Sequence, residues 1–452
     1  MAPYRILVVD DSGFMRKIIS DLIIQDPQFT IVATAVNGQE AVEAVHKWKP
    51  DAVTLDLEMP LMNGIEALQI IMRELPTPVI MLSGISEDNT RETIKALQFG
   101  AFDFIRKPSS AMSNDIHHVG DFLLEKLRIA VLTKRYQPII SISEKVTAAF
   151  EEMAPSKEMP AVSKQKTTSH DDPLAAKIKA DGKDRIKPVL PKEGKKLTEK
   201  AADPLHKKLT VKKPDEASTV NKQTSESVRT ILNNKTPKIP KIMQGEPPDV
   251  HKKAATTSTA SFKHIVAIGT STGGPRALHE VITSLPADFP APVLIVQHMP
   301  PKFTKSLAQR LDSFSELRVV EAEQGERVSA GVVYIAPGGY HMELSKDTSG
   351  YSILLTEQPQ RNGHRPSVDV LFESISSFRE LKRHAVIMTG MGSDGAKGMK
   401  LLAECGIDTT IAEAEETCVV YGMPRSAVEA GCVNKVLPLQ HIAPQLVQVV
   451  MK

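Results

Sequence analysis

Ser271 stands in the run Gly269-Thr270-Ser271-Thr272-Gly273-Gly274, which fits the pattern G-x-S-x-G. Small residues flanking a serine allow a sharp strand-to-helix turn that exposes the hydroxyl as a nucleophile. The same turn could instead cradle a phosphate on backbone N–H groups, or be a tight turn and nothing more. A nucleophilic serine needs a base, and His298 directly follows the apolar run 292–297. Asp394 lies in the glycine-rich turn 389–395 that follows the apolar run 385–388. Brought together, Ser271, His298 and Asp394 would serve as nucleophile, general base and orienting carboxylate of a serine hydrolase.

A second group of chemically capable residues sits near the N-terminus. Asp10 and Asp11, Asp56, Ser83 and Lys107 each follow a short apolar run. Three carboxylates at one sheet edge repel one another unless their oxygens share a hard divalent cation such as Mg2+. With that cation, Asp56 can take up a phosphoryl group while Lys107 neutralises the phosphate oxygens and the Ser83 hydroxyl donates to one of them. One acidic residue at a strand end is usually only a solvated loop residue; five polar residues at these positions together favour the phosphoryl site. Elsewhere His341, and His364 with Arg365, compete for roles; His364 and Arg365 could contact an anionic substrate, although ordinary loop polarity is the commoner origin of such residues. Cys405, Cys418 and Cys432 lack C-x-x-C spacing and read as small buried residues.

The elements that must position these groups are legible as alternating apolar runs and amphipathic stretches. Runs 5–9, 29–35, 52–55, 78–82 and 102–105 each precede a helical stretch (12–24, 38–49, 64–75, 87–99 and 116–134). Five strand-then-helix units imply an α/β fold with a parallel doubly wound sheet, whose functional groups gather at the carboxyl ends of the strands. A second alternating pattern starts at 264–268 and includes the helix start at Pro275 and the helix 368–378. Runs 331–337 and 351–357 read as strands of an antiparallel excursion. The order serine, histidine, aspartate differs from the serine, acid, histidine order of the usual alpha/beta-hydrolase, which disfavours a standard lipase or esterase fold.

At 452 residues the chain is about three times the usual size of one domain. Its 41% apolar and 24% charged composition excludes a fibrous or wholly disordered protein. The net charge of +2 conceals an uneven distribution, because residues 151–260 hold 23 Lys and Arg against 15 Asp and Glu, and no aromatic residue. That segment cannot bury a core and reads as a disordered, solvated spacer rather than a nucleic-acid arm. The expected organisation is therefore a first domain over 1–125, a helical extension and basic linker over 126–260, and a second domain over 261–452. No signal peptide or membrane span is expected, and the three cysteines, with neither disulfide-framework nor zinc spacing, suit a reducing cytoplasm.

Asp10-Asp11, Asp56 in Leu-Asp-Leu-Glu-Met-Pro, Ser83-Gly84 and Lys107-Pro108 resemble the receiver domain of two-component response regulators. The resemblance implies a flavodoxin-like fold and Mg2+-dependent phosphorylation of Asp56 by a histidine kinase, with Ser83 and an aromatic, here Phe104, responding to the phosphate. Farther along, Gly-Thr-Ser-Thr-Gly-Gly, Gln-His-Met-Pro, Tyr-Ile-Ala-Pro-Gly, His-Arg-Pro-Ser-Val-Asp and Thr-Gly-Met-Gly-Ser-Asp-Gly resemble the catalytic domain of the chemotaxis protein-glutamate methylesterases, the CheB family. That implies a three-layer α/β domain with a mainly parallel sheet, the triad Ser271, His298 and Asp394, and an oxyanion contact from the Met391 backbone amide. It also implies hydrolysis of glutamate methyl esters, and deamidation of glutamines, on chemoreceptors, without a cofactor for the esterase and without nucleic acid or membrane insertion. In this family the unphosphorylated receiver covers the active site. The linker of about 110 residues is longer than the family typically carries, and a long tether lowers the local concentration of the inhibitory contact, so weak basal inhibition is expected. The rival readings are a response regulator with a serine hydrolase acting on another ester or amide, an anion-binding module built on the 269–274 turn, and a transcription regulator, for which no recognition helix is evident.

Overall fold

A computed structural model of the protein describes residues 2–108, 113–133 and 262–452; the basic linker lies outside the described residues. The first part comprises β1 (Tyr4–Val9), α1 (Gly13–Ile23), β2 (Phe29–Ala35), α2 (Gly38–Trp48), β3 (Ala52–Asp56), α3 (Gly64–Glu74), β4 (Val79–Ser83), α4 (Glu87–Gln98), β5 (Asp103–Arg106) and α5 (Ser113–Leu132). Four of these helices start on side-chain caps that the sequence supplies: Ser12, Asn37, Asn63 and Ser86 each accept a backbone N–H from the first turn. The five strands form a parallel sheet in the order β2-β1-β3-β4-β5. The order reverses between β1 and β3, so the crevice at their carboxyl ends receives Asp10, Asp11 and Asp56. Alternation along β1 sends Leu7 and Val9 to one face and Ile6 and Val8 to the other, and helices cover both.

The second part runs through β6 (His264–Thr270), α6 (Gly274–Thr283), β7 (Val293–Gln297), α7 (Phe303–Asp312), β8 (Arg318–Glu321), β9 (Val332–Ile335), β10 (His341–Asp347), β11 (Gly350–Thr356), α8 (Val368–Ser376), β12 (Lys382–Ile387), α9 (Ala396–Glu404), β13 (Thr409–Glu413), α10 (Met423–Glu429), β14 (Lys435–Leu437) and α11 (Leu439–Val450). Seven strands form a parallel sheet ordered β14-β13-β12-β6-β7-β9-β8. Val266 and Ile268 of β6 face α6, α7 and α11, whereas Ile265 and Ala267 face α8, α9 and α10. The result is the expected three-layer α/β arrangement. Strand β6 lies where the chain turns back across the sheet, between β7 and β12, and its carboxyl end carries Ser271.

One strand assignment from the sequence is corrected. The run 331–337 is not part of an antiparallel excursion: β9 pairs in parallel with β7 and β8 inside the main sheet. Val333, Tyr334 and Ile335 are buried in succession, as a strand covered on both faces requires. The antiparallel excursion consists of β10 and β11 alone.

Helix α4 and strand β5 of the first part pack against α6 and α7 of the second. Phe104 stacks on Phe303 with ring centroids 4.6 Å apart. Thr90 and Ser306 share a buried hydroxyl hydrogen bond of 2.7 Å, and Arg310 Nε donates to Gln98 Oε1 at 2.8 Å. At the edge of this contact the Thr272 hydroxyl donates to Asp103 Oδ2 at 2.5 Å, one residue from Ser271.

Candidate active site and phosphoryl site

The turn after β6 is built around backbone proximity. Gly273 adopts φ +81°, which favours glycine, and so lets helix α6 begin at once behind Ser271. A Cβ at Gly274 would fall 1.9 Å from Gln297 Oε1 and 2.0 Å from Thr270 Oγ1, so only glycine fits there. Gln297 fills that space: its carboxamide accepts from the Thr270 hydroxyl and donates to the carbonyls of Ser271 at 2.9 Å and His298 at 3.1 Å. From the other side, the Ser271 amide donates to the Thr389 carbonyl at 3.0 Å.

Register fixes what stands beside Ser271. Thr270 pairs with Gln297 across β6 and β7, so Ser271 and His298 leave the sheet at the same level, and the His298 amide donates to the Thr270 carbonyl at 3.1 Å. His298 Nε2 lies 2.8 Å from Asp394 Oδ2, while Nδ1 is buried without a hydrogen-bond partner. With Nε2–H held by the carboxylate, Nδ1 is the basic nitrogen left over. His298 and Asp394 thus meet, and Ser271 stands at the same edge without a hydrogen bond to His298.

Asp394 is fully enclosed and is satisfied by Asn362 and by three residues of the His-Arg-Pro-Ser-Val-Asp motif, none of which the sequence tied to that carboxylate. Its oxygens accept from the amides of Val368 at 2.7 Å and Asp369 at 3.2 Å, the Ser367 hydroxyl at 2.8 Å and the Asn362 carboxamide at 2.8 Å. Val368 and Asp369 open helix α8, so the carboxylate sits at a helix N-terminus. Burial opposes the charge, but the bond from His298 and these donors outweigh it and hold Asp394 far below the ordinary carboxylate range. His364 stacks on His298 at 3.7 Å between centroids, and burial together with the neighbouring His298 pulls it down to about 4. Met391 follows Gly390, whose missing side chain makes room for Ser271: a Cβ there would come within 2.8 Å of the Ser271 Cβ. His341 is buried and engaged with the Pro359 carbonyl and the Ser367 amide, a structural role. The Arg365 guanidinium donates to the carbonyls of Glu357 and Gln358. Cys432 is buried, and burial raises the thiols of Cys418 and Cys432, which fits inert packing residues.

In the first part, ligand oxygens of Asp10, Asp11 and Asp56 lie within 4.8 Å of one another. Lys107 Nζ reaches Asp10 Oδ2 at 2.8 Å and Asp56 Oδ1 at 2.7 Å. Burial pushes the Asp56 carboxyl up to about 6, against the pull of Lys107. Burial draws Lys107 down, but its bonds to Asp10 and Asp56 more than offset that and leave it above its ordinary value. Asp10 Oδ2 is buried, with the Lys107 ammonium against it. An oxygen-only donor set of three clustered carboxylates, balanced by one lysine, fits a hard cation such as Mg2+. Ser83 is buried, with its hydroxyl bonded to Thr93 Oγ1 at 2.6 Å and to the Gly84 carbonyl at 3.0 Å.

Two families match the chain: a CheB methylesterase domain over residues 266–446 and a response regulator receiver domain over residues 6–117. A protein-glutamate methylesterase/protein-glutamine glutaminase of Geobacillus kaustophilus is 39% identical, covering 100% of this chain and 99% of that protein. One of the same name from Bacillus subtilis is 36% identical over 99% of each. The crystal structure of the Thermotoga maritima CheB methylesterase catalytic domain shares 50% identity, covering 42% of this chain and all of that one, with a TM-score of 0.41. The first two alignments run the length of both proteins, so a linker of this length is shared with these relatives and is no departure peculiar to this chain.

Proposed function

The chain belongs to the CheB family of protein-glutamate methylesterase/protein-glutamine glutaminases, and from that premise we propose how its residues carry out and control the reaction. The enzyme hydrolyses glutamate methyl esters in chemotaxis adaptation, and its substrates are methylated chemoreceptor helices. Ser271 Oγ attacks the side-chain ester carbonyl as His298 Nδ1 takes its proton. The negative charge that develops on the carbonyl oxygen is met by the Met391 amide. Collapse breaks the bond to the methoxy group, which leaves as methanol with the proton from His298. Water, deprotonated by the same nitrogen, then attacks the acyl-enzyme and releases glutamate and Ser271. Asp394 holds the Nε2–H tautomer and stabilises the imidazolium. A glutamine side chain offers the same carbonyl with ammonia as leaving group, which accounts for the glutaminase activity.

The receiver supplies the control. A histidine kinase of the chemotaxis pathway is the phosphodonor: the Asp56 carboxylate attacks the phosphorus of its phosphohistidine, the P–N bond breaks, and the kinase's imidazole leaves. Asp10, Asp11 and Asp56 would hold Mg2+, which supplies charge neutralisation for the transferred phosphoryl group. Lys107 pairs with the phosphate oxygens once they displace its present partners, and Ser83 turns its hydroxyl towards them. Phe104, stacked on Phe303, lies between this site and the catalytic domain, so a rearrangement there loosens the contact that Asp103 makes beside Ser271. No helix among the described residues is long and apolar enough to cross a membrane.

The observation that carries this reading is the 2.8 Å bond from His298 to Asp394, with the other imidazole nitrogen free at the strand end beside Ser271. Methanol release from methylated receptor membranes by wild type, S271A and H298A tests it. Loss of at least about 1,000-fold in both variants is expected; an S271A protein that still releases methanol at the wild-type rate would refute the assignment.

A further inference from the structure

Glu413 is the last residue of β13 and is completely buried, yet it belongs to no ion pair among the described residues. Its Oε2 accepts the Thr389 amide at 2.8 Å, and its Oε1 is buried without a hydrogen-bond partner. A carboxylate with one hydrogen bond and one bare oxygen in this setting is expensive, whereas a neutral acid is far less so. Burial raises the Glu413 carboxyl; the Thr389 amide, Thr417, Cys418 and Arg276 only partly oppose it. Glu415 and Glu416 lie at the same corner and add negative charge rather than relieve it.

Thr389 is what Glu413 grips, and Thr389 is tied to both turns that flank Ser271. Its carbonyl accepts the Ser271 amide at 3.0 Å, its hydroxyl donates to the Thr272 carbonyl at 2.9 Å and accepts the Val420 amide at 3.0 Å, and the next two residues are Gly390 and Met391. Fixing the Thr389 amide therefore fixes the nucleophile turn and the turn bearing the proposed oxyanion donor in one step.

We propose that Glu413 is a positioning residue of the esterase, an uncharged acid whose Oε2 anchors Thr389 and thereby sets the spacing between Ser271 and the Met391 amide. The proposal rests on the serine-esterase reading of the site. An ionised group here would set a negative charge against the oxyanion that forms a short distance away; a neutral one holds the geometry without that penalty.

E413Q keeps the acceptor and the neutral charge, whereas E413L fills the space but leaves the Thr389 amide unpaired. Both are compared with wild type and S271A in the full-length protein, with kcat normalised to the sites that a fluorophosphonate labels. E413Q is expected to retain kcat within about threefold, and E413L to lose between about 10- and 100-fold in kcat with KM unchanged. A purely structural role would lower melting temperature and the labelled fraction while leaving kcat per labelled site intact. Wild-type kcat per site in E413L, or equal damage in E413Q and E413L, overturns the proposal. If E413L yields too few labelled sites, E413A is used with the same criteria. An active S271A would instead refute the underlying reading, so the two failures are distinguishable.

Discussion

Asp394 and Asp369 each cap the helix start at which the other stands. Asp394, just before α9, accepts the amides of Val368 and Asp369 at the start of α8, and Asp369, in the first turn of α8, accepts the amides of Gly395 at 2.9 Å and Gly398 at 2.7 Å at the start of α9. Asn362 donates to both carboxylates at 2.8 Å. The reciprocal capping locks the Asp394 turn against the β-strand edge, and through Asp394 it orients His298. Replacing Asp369 by alanine leaves those α9 amides without their acceptor. D369A is expected to lose about 1–2 kcal/mol in urea unfolding and to lower kcat with little change in KM; unchanged kcat in a destabilised protein would separate the cap from the chemistry.

Asp56 is raised to about 6 by burial, so the folded protein binds its proton more tightly than the unfolded chain does. Stability then falls as pH rises from about 4 to about 6, because the native state must give up a proton that the unfolded state has already lost. D56N has no such loss. In metal-free buffer it should be more stable than wild type by about 1–3 kcal/mol above pH 6, with the gap closing towards pH 4. Thermal unfolding across that range checks the sign, and a D56N protein less stable at neutral pH would contradict it.

Gly274 has no room for a methyl group between Gln297 and Thr270. G274A must displace the Gln297 carboxamide that holds the Ser271 and His298 carbonyls. Overpacking there is expected to destabilise by about 1–3 kcal/mol and to cut methanol release by more than about tenfold. A G274A enzyme with wild-type kcat would show that Gln297 does not set the nucleophile's position.

Phe104 buries its ring against Phe303. F104A removes that stack and weakens the docking of the receiver, so activity without phosphodonor should rise by about 3- to 10-fold and the further gain on adding phosphodonor should shrink. Lower basal activity in F104A would mean that the contact supports the esterase rather than restrains it.

The polar strand ends of the receiver and the positions of Ser271, His298 and Asp394 were legible because each lies in the turn that follows an apolar run, and a parallel sheet sends such turns to one edge. What supports them was not. Asn362, Ser367 and Asp369 come from a loop and a helix start whose relation to Asp394 exists only after α8 and α9 pack, and Glu413 looks in sequence like a polar strand terminus rather than a sealed group. Strand β8, Arg318–Glu321, and strand β14, Lys435–Leu437, are too short and too charged to stand out. The parallel placement of β9 is not legible in sequence, because its apolar run carries no mark of its partners' direction. The acid box and Lys107 needed no tertiary detail, since the spacing along the chain already placed them.

Methanol release from methylated receptor membranes by wild type and D56N, each with and without a small phosphodonor and Mg2+, tests most directly the claim that the receiver restrains a Ser271 esterase. A long tether alone would leave inhibition weak, but the receiver packs directly on the catalytic domain through Phe104, Thr90 and Asp103, so the expected result is low release from both proteins without phosphodonor and a rise of about tenfold or more in wild type alone when it is added. Equal rates in wild type with and without phosphodonor, or the same rise in D56N, would contradict the account.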